Sequence, residues 1–352
     1  MKRITLSALL MTLFLLLSCG SGSAKVEDPK TLFLTSIANL GKGFLDVFTS
    51  LSDMVAGALG IKAETKKSEV GAYFTKIADT MTSVKAKLND VVATNGSYPK
   101  LKTVVEHFIT NTLDKIAEGA KTAATGATGE DKIGGATKEG QDAAPADTAS
   151  VNALVKGIKE IVGVILKDNE GSAEATKTAE SEQKSIGKLF GGKDNGGEEA
   201  QAAAASASIG AVTGADILQA IAKSGETADN IKDIEAATGA ASIAAAKKDD
   251  NKEIKDEAAK KDAVIAAGIA LRAMAKDGKF AAKNNEEKSA HAVNGAAASA
   301  VGKTLSTLII AIRNTVDSGL KSINAVLATV TQEDKSADST TLVDATASRQ
   351  QQ

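Results

Sequence analysis

The chain has 352 residues, a formal net charge of −2, 3% aromatic residues and no tryptophan. Its slightly acidic balance argues against a nucleic-acid-binding protein, which would carry a basic face. The scarcity of aromatic residues argues against surfaces that stack bases or sugars. With three prolines and abundant alanine, lysine and glutamate, the composition predicts helix throughout, interrupted by some of the 31 glycines.

The first 18 residues have the composition of a secretory signal peptide. Lys2 and Arg3 form a basic start, an apolar run from Ile4 to Leu17 follows, and the small residue Ser18 ends it. The run is shorter than the roughly 20 residues that span a bilayer core. Directly after Cys19 the chain turns polar and flexible, at Gly20-Ser21-Gly22-Ser23, which predicts a flexible tether over residues 19–30 instead of a continuing helix.

Cys19 is the single cysteine of the chain and follows the apolar run directly. It cannot form an internal disulfide, and two distant histidines give little support to a metal site. Leu16-Leu17-Ser18-Cys19 resembles a bacterial lipobox, which predicts cleavage before Cys19 and its modification by N-acyl and S-diacylglycerol groups. Each buried CH₂ of the acyl chains contributes roughly 0.8 kcal/mol to anchoring. The alternatives are a signal peptide with a coincidental cysteine, or a buried free thiol.

Five stretches repeat apolar residues at the spacing of an amphipathic helix. They are Phe33–Leu59, Tyr73–Val91, Leu101–Ile116, Val151–Ile165 and Val301–Val330. The first predicts a helix from Thr31 to Ile61, and Asn95–Pro99 predicts a turn between the second and third. Each apolar stripe must be buried against a partner. The predicted fold is therefore all-α, an elongated helical bundle occupying residues 31–330 as a single domain.

The middle of the chain has a different composition from its flanks. Thr122–Ser150 and Gly191–Glu199 are rich in glycine and charge and predict loops. The helices expected between Ala200 and Ala300 are alanine-rich with thin apolar faces, which predicts less burial and lower stability. We therefore expect residues 31–121 and 301–330 to form stem helices paired near a membrane. Residues from about 122 to 300 would form a distal region that tolerates sequence variation. Residues 331–352 would form a polar tail.

Motifs that suggest catalysis or ligand binding are better explained by ordinary structure. "AASAVGKT" (Ala297–Thr304) fits a loosened phosphate loop, but no strand precedes it and Ala297 replaces the first glycine. Three acidic pairs, Asp249-Asp250, Glu198-Glu199 and Glu286-Glu287, fit solvated faces, and His107 fits a partly exposed helix position. The sequence predicts no catalytic, cofactor-binding or metal-binding residues, and we expect the protein not to be an enzyme.

Several long segments resemble the variable large proteins, the variable major surface lipoproteins of relapsing-fever Borrelia, which are related to the variable surface antigen of Lyme spirochaetes. The resemblance covers nearly the whole chain. The segments are "LLLSCGSG" (15–22), "KTLFLTSIANLGKGFLDVF" (30–48), "VNALVKGIKEIVGVILKDNEGSAEATKTAE" (151–180), "LRAMAKDGKFAAKNNEEKSA" (271–290) and "TLSTLIIAIRNTVDSGLKSI" (304–323).

The resemblance implies a helical coat antigen held on the outer face of the cell outer membrane, with lipid as its partner through the Cys19 acyl chains. It also implies expression of one version at a time from silent plasmid-borne genes, so that variants escape host antibodies. The alternative is a surface adhesin lipoprotein that binds a host protein or glycosaminoglycan. An adhesin would need a basic patch, and Lys247-Lys248 and Lys260-Lys261 are the candidates, although acidic residues lie among them.

Overall fold

The computed structural model describes residues 49–94, 98–227 and 232–329, and these residues form an all-helical fold. The helices are α1 Lys67–Thr94, α2 Pro99–Phe108, α3 Asp114–Gly126, α4 Thr148–Ile165, α5 Glu180–Ser185, α6 Glu199–Ala211, α7 Gly214–Lys223, α8 Ala240–Ala245, α9 Asp262–Met274 and α10 Glu287–Thr329. Residues 49–59 are also helical. A π-helical turn at Ile109–Leu113 joins α2 to α3, and short 3₁₀ turns lie at Ile186–Phe190 and Ile234–Ala236. Within this part of the chain, β-type pairing is confined to isolated bridges, which confirms the predicted all-α class.

The apolar stripes read from the sequence form the buried faces of their helices. In α1, Ile77, Met81, Val84 and Leu88 are fully buried, and α4 and α10 bury their stripes in the same way. Of the helix predicted from Thr31 to Ile61, residues 31–48 lie outside the described residues. The remainder is helical from 49 to 59 and buries Leu51, Met54 and Ala58.

Helices α3 and α4 form a tight pair because glycines lie where the helices cross. A Cβ atom on Gly119 would lie 2.7 Å from the carbonyl oxygen of Gly157, and a Cβ on Gly157 would overlap the carbonyl oxygen of Gly119. Glycine at both positions lets the two backbones touch. This pair makes one of the most extensive helix–helix contacts in the described fold.

The loop predicted over Thr122–Ser150 is shorter than expected, since α3 continues to Gly126 and α4 begins at Thr148. The Asp147 carboxylate accepts a hydrogen bond from the Ser150 amide at 2.8 Å and so caps α4. The loop backbone is tied to the chain before α10. Gln141 donates to the carbonyl of Ala282 at 2.9 Å, and Ala144 donates to that of Lys279 at 3.1 Å.

The expectation that the alanine-rich middle buries little is wrong. All 13 residues of α9 are buried, and α9 packs against α6, α7, α8 and α10. The small alanine and glycine side chains let neighbouring helices approach on every side: a Cβ on Gly268 would overlap the Ile243 side chain of α8. Alanine here reflects close packing on all faces of a helix, so the middle of the chain supplies the centre of the core.

The final helix begins earlier than the sequence predicted, at Glu287 instead of Val301, and runs without interruption for 43 residues. It is long and apolar enough to span a bilayer, but half of its apolar stretch is buried against the other helices, as expected for a core helix. A Cβ on Gly302 would lie 3.9 Å from both the Ala58 carbonyl oxygen and the Ile61 Cβ. Gly302 of α10 therefore lies near the end of the helix at 49–59, and the pairing of the first and last apolar helices along their length and near a membrane stays a prediction.

Candidate functional site

The predicted site residue, Cys19, lies outside the described residues, as do the signal segment 1–18, the tether 19–30 and the tail 331–352. Lipidation of Cys19 therefore stays a prediction. Within residues 49–94, 98–227 and 232–329, no group of three or more histidine, cysteine, aspartate or glutamate residues is arranged to hold a metal ion.

The residues of the phosphate-loop pattern lie in the middle of α10, where they perform structural tasks. Lys303 Nζ donates hydrogen bonds to the carbonyl oxygens of Ile209 and Val212 at 2.8 and 2.5 Å. Thr304 Oγ1 donates to the Ala300 carbonyl at 2.7 Å within the same helix. Because Lys303 binds the C-terminal end of α6 and the pattern lies within a continuous helix, the helical interpretation of this motif is confirmed.

The acidic pairs organise the local backbone at several points. Asp250 Oδ1 accepts from the Gly192 amide at 2.6 Å, and Glu198 caps the N-terminus of α6 through a reciprocal arrangement with Gln201. His107 is exposed on α2, as the sequence predicted. These placements give the acidic residues structural roles in turns and helix starts.

The lysine pairs proposed as an adhesin's basic patch are partly neutralised. Lys248 lies 3.4 Å from the Asp142 carboxylate. Lys260 is buried and pairs with Glu180 at 2.6 Å and also with Glu257. Hydrogen bonds and charge from Lys184 and Lys260 lower the pKa of Glu180 to about 2. These two pairs therefore give the adhesin alternative no continuous basic surface.

Lys67 is a buried cation that sequence reasoning missed. Lys67 is the first residue of α1. Its ammonium donates to three carbonyl oxygens: that of Arg272, near the end of α9, at 3.1 Å, and those of Ala275 and Gly278, just after α9, at 2.5 and 3.0 Å. The carbonyls at a helix C-terminus attract positive charge. Burial, followed by the nearby Arg272 guanidinium, lowers the pKa of Lys67 to about 7. The partners lie more than 200 positions away in sequence, so no local pattern could reveal them.

Arg272 is the second buried cation of the same region and is fully enclosed. Its Nη1 donates to the carbonyls of Ala244 and Ala246 at the end of α8, and its Nε donates to the Lys279 carbonyl at 2.8 Å. The guanidinium carbon lies 4.8 Å from the centre of the Phe190 ring. Burial lowers the pKa of Arg272 to about 9. A single arginine inside the apolar run "VIAAGIALRAM" was the signal available in the sequence.

Asp262, at the start of α9, anchors the segment before α5. Its carboxylate accepts from the backbone amides of Lys177 and Thr178 at 2.6 and 2.9 Å, and from Thr178 Oγ1 at 2.5 Å. Burial alone would raise the pKa of Asp262, but these hydrogen bonds outweigh burial and hold the pKa below its ordinary value. Asp262 is thus a buried carboxylate with a structural task.

Two cavities of the described fold are small. One of about 70 Å³ lies between the loop at Gly134 and the chain at Phe280, and another of about 230 Å³ lies beside Lys223 and Ser242. Ligand pockets usually enclose about 300–1,000 Å³. These two cavities therefore give little support to a small-molecule site.

The described residues thus define an all-helical protein with an alanine-rich core. The model of the Borrelia lipoprotein family matches residues 44–327, and the chain belongs to this family.

Among curated relatives, the chain is 64% identical to Variable large protein 4 of Borrelia hermsii over 98% of this chain and 99% of that protein. It is 62% identical to Variable large protein 17 of the same species over 99% of both chains. A solved structure, that of the Lyme disease variable surface antigen VlsE of Borrelia burgdorferi, superposes with a TM-score of 0.72 at 38% identity. It covers 85% of this chain and 100% of VlsE. The relatives carry the names of variable proteins and a surface antigen, and none of these names describes an enzyme.

Proposed function

We propose that this protein is a lipid-anchored surface antigen of the outer membrane, whose variants are exchanged so that host antibodies no longer bind. The observation that carries the proposal is near-full-length similarity to the variable large proteins, joined to similarity in fold and sequence to a variable surface antigen. In this function the protein acts by occupying and changing the exposed surface. Host antibodies are its proposed partners.

The spread of identity among relatives of one species supports exchange of variants. Proteins with the same family name in Borrelia hermsii range from 64% to 26% identity to this chain, yet alignments cover more than nine-tenths of the chain in each case. Similar length combined with widely different residues supports a constant arrangement of helices with exposed residues that differ between variants. Such substitutions are tolerated best at exposed positions, where they usually change stability by within about 0.5 kcal/mol.

The proposed anchor is the diacylglyceryl group on Cys19, with a further acyl chain on its amine. The acyl chains would insert into the membrane, because two lipid signals already suffice for stable anchoring. The protein domain would be held outside by the polar segment that follows Cys19, and the described helices would need no insertion of their own.

The test is protease treatment of intact cells that express the protein, followed by immunoblotting of membrane and soluble fractions. The wild type should be degraded on intact cells and fractionate with membranes. Cys19→Ala should leave the membrane fraction, whereas a matched Ser18→Ala change, which keeps a small residue before the cysteine, should retain it. Protection of the wild type until the outer membrane is broken would contradict a surface antigen, and membrane retention of Cys19→Ala would contradict the lipid anchor.

A further inference from the structure

Four turns from separate parts of the chain meet at one place on the surface. They comprise residues 137–140, 193–195, 248–251 and 284–285, and we call them the four-turn surface. The Asp142 carboxylate accepts from the Lys193 amide at 2.9 Å and lies 3.4 Å from Lys248 Nζ, which joins the first three turns. The Asn284 amide donates to the Lys193 carbonyl at 2.9 Å. A Cβ atom on Gly140 would lie 2.7 Å from the Asn284 Cα, so the first and fourth turns are in contact.

The side chains of the four-turn surface are polar and largely exposed to solvent. The exposed residues include Thr137, Lys138, Glu139, Asp194, Asn195 and Asn285. The side chain of Glu139 forms a hydrogen bond with that of Thr137, inside the first turn. Within the described residues, no ion pair or hydrogen bond joins the side chains of 137–139 to another part of the chain. These side chains are therefore available to a partner.

The first turn is held in place through its backbone on both sides. Before the turn, Asn294 of α10 binds both backbone groups of Ala136: its Oδ1 accepts from the amide at 3.0 Å, and its Nδ2 donates to the carbonyl at 2.8 Å. After the turn, Gln141 and Ala282 exchange two backbone hydrogen bonds at 2.9 and 2.8 Å. None of these contacts uses the side chains of 137–139. Those side chains can therefore change while the path of the backbone is retained.

The second turn is also held by contacts to its backbone. The Gly192 amide donates to the Asp250 carboxylate at 2.6 Å, which ties the second turn to the third. Lys283 Nζ donates to the backbone carbonyl of Asp194 at 2.8 Å. The carboxylate of Asp194 takes no part in these bonds, so its identity is not needed to hold the turn.

A recognition surface built in this way favours binding by a large protein partner. A surface that is already ordered loses less conformational entropy when a partner binds. A typical protein interface uses about 20–30 residues on each side, so a single turn supplies only part of one. Antibody interfaces are polar and hydrated, as a surface of exposed polar turns requires.

We propose that the four-turn surface is one composite antibody-binding surface, and that Asn294 is the residue that positions its first turn. This inference rests on the function proposed above, in which host antibodies are the partners. The exposed side chains supply the contacts to the antibody. The backbone hydrogen bonds keep the shape of the surface when those side chains are exchanged.

The first test measures the affinity of monoclonal antibodies, raised against the folded protein, for the purified wild type and its variants. One group of antibodies should bind both Lys138→Glu and Asp194→Lys at least about tenfold more weakly, although the two changes lie in different turns. Lys115→Glu reverses the charge of an exposed lysine at the start of α3 and should leave this group unaffected. The composite surface is overturned if no antibody is sensitive to both changes.

The second test addresses the positioning role of Asn294. Asn294→Ala keeps every residue of the four turns but removes both hydrogen bonds to Ala136. It should weaken the same group of antibodies by at least about tenfold and speed amide exchange at Ala136, while antibodies to other sites bind as before. Asn314→Ala, at an exposed position of the same helix, should change neither measurement.

Full binding of the group to Asn294→Ala would overturn the positioning role, and so would an equal loss for antibodies to other sites. If Asn294→Ala fails to fold, Asn294→Asp replaces it, because a carboxylate can accept from the Ala136 amide but cannot donate to its carbonyl. Both tests use purified protein and so do not depend on lipid anchoring or on placement at the cell surface. The protease experiment on intact cells decides those two points separately.

Discussion

Single buried polar residues hold distant segments together in this fold. Asp262 is the clearest carboxylate case: it accepts three hydrogen bonds from Lys177 and Thr178, some 85 positions earlier in the chain. A carboxylate whose pKa is lowered on folding stabilises the protein above its unfolded-state pKa, and this stabilisation is lost as the pH falls through the folded-state pKa.

Asp262→Asn should lower the free energy of unfolding at pH 7 by about 1–3 kcal/mol, because an amide cannot replace a carboxylate that accepts from two amides and a hydroxyl. The measurement is urea unfolding at pH 7 and at about pH 3. The difference from wild type should shrink at the lower pH, because the carboxyl group of the unfolded chain has the higher pKa and takes up a proton first. Asp168→Asn, at an exposed position, should be near neutral. An equal loss at both pH values would contradict a role for the charge.

The residues of this polar interior were out of reach of sequence reasoning for a common reason. Lys67, Asp262 and Arg272 are flanked by ordinary helix-forming residues, and their partners lie far away along the chain. Charged residues are rarely buried, so each would be expected at the surface. Only the tertiary packing decides which few of the many charged residues are enclosed.

At the scale of helices, the sequence predicted the buried face correctly wherever the opposite face of the helix is exposed to solvent. The stripes in α1, α4 and α10 were readable because apolar residues alternate with polar ones at helical spacing. Helix α9 carries no such contrast. A helix buried on all sides has no polar face, and its alanines resemble those of a weakly packed surface helix. The same composition therefore led to the wrong expectation of low burial.

The glycine crossing of α3 and α4 gives a direct test of helix packing. Gly157→Ala should destabilise the protein by about 1–3 kcal/mol, because the new methyl group would overlap the carbonyl of Gly119 and force the helices apart. Gly163→Ala lies on the same helix with no atom within 4 Å of its new Cβ. It should stabilise α4 by up to about 1 kcal/mol.

Thermal or urea unfolding of the two variants provides the measurement, with Gly163→Ala as the matched control for helix propensity. The essential result is that the two changes shift the free energy of unfolding in opposite directions. Destabilisation by both changes would mean that the helix itself, and not the crossing with α3, limits stability.

Across the whole molecule, the distribution of burial predicts where the structure opens least. The composition predicts a middle region less stable than its flanks, but α9 is buried throughout and packs against six helices, α1, α4, α6, α7, α8 and α10. Segments with complete burial exchange their amide hydrogens only through large-scale unfolding. The alanine-rich middle should therefore be among the most protected regions.

Native-state hydrogen exchange read by mass spectrometry tests this distribution. Peptides from Asp262–Met274 should exchange last, with a protection approaching that of global unfolding, while the exposed part of α2 near His107 should exchange earlier. The comparison uses one sample and one pH, so the two regions serve as controls for each other. Faster exchange in α9 than in α2 would contradict this prediction. It would instead support the expectation from composition that the middle of the chain is less stable than its flanks.

The many alanine and glycine contacts of α9 also limit how the surface of this fold can change. Leucine or phenylalanine cores can repack because long side chains rotate and fill neighbouring space, but a methyl group has no rotamer to change. Where methyl groups separate two helices, the buried side chains cannot rearrange to accommodate a substitution at the surface. We therefore expect new exposed surfaces on such a fold to come from changes of single projecting side chains, with the helix packing retained.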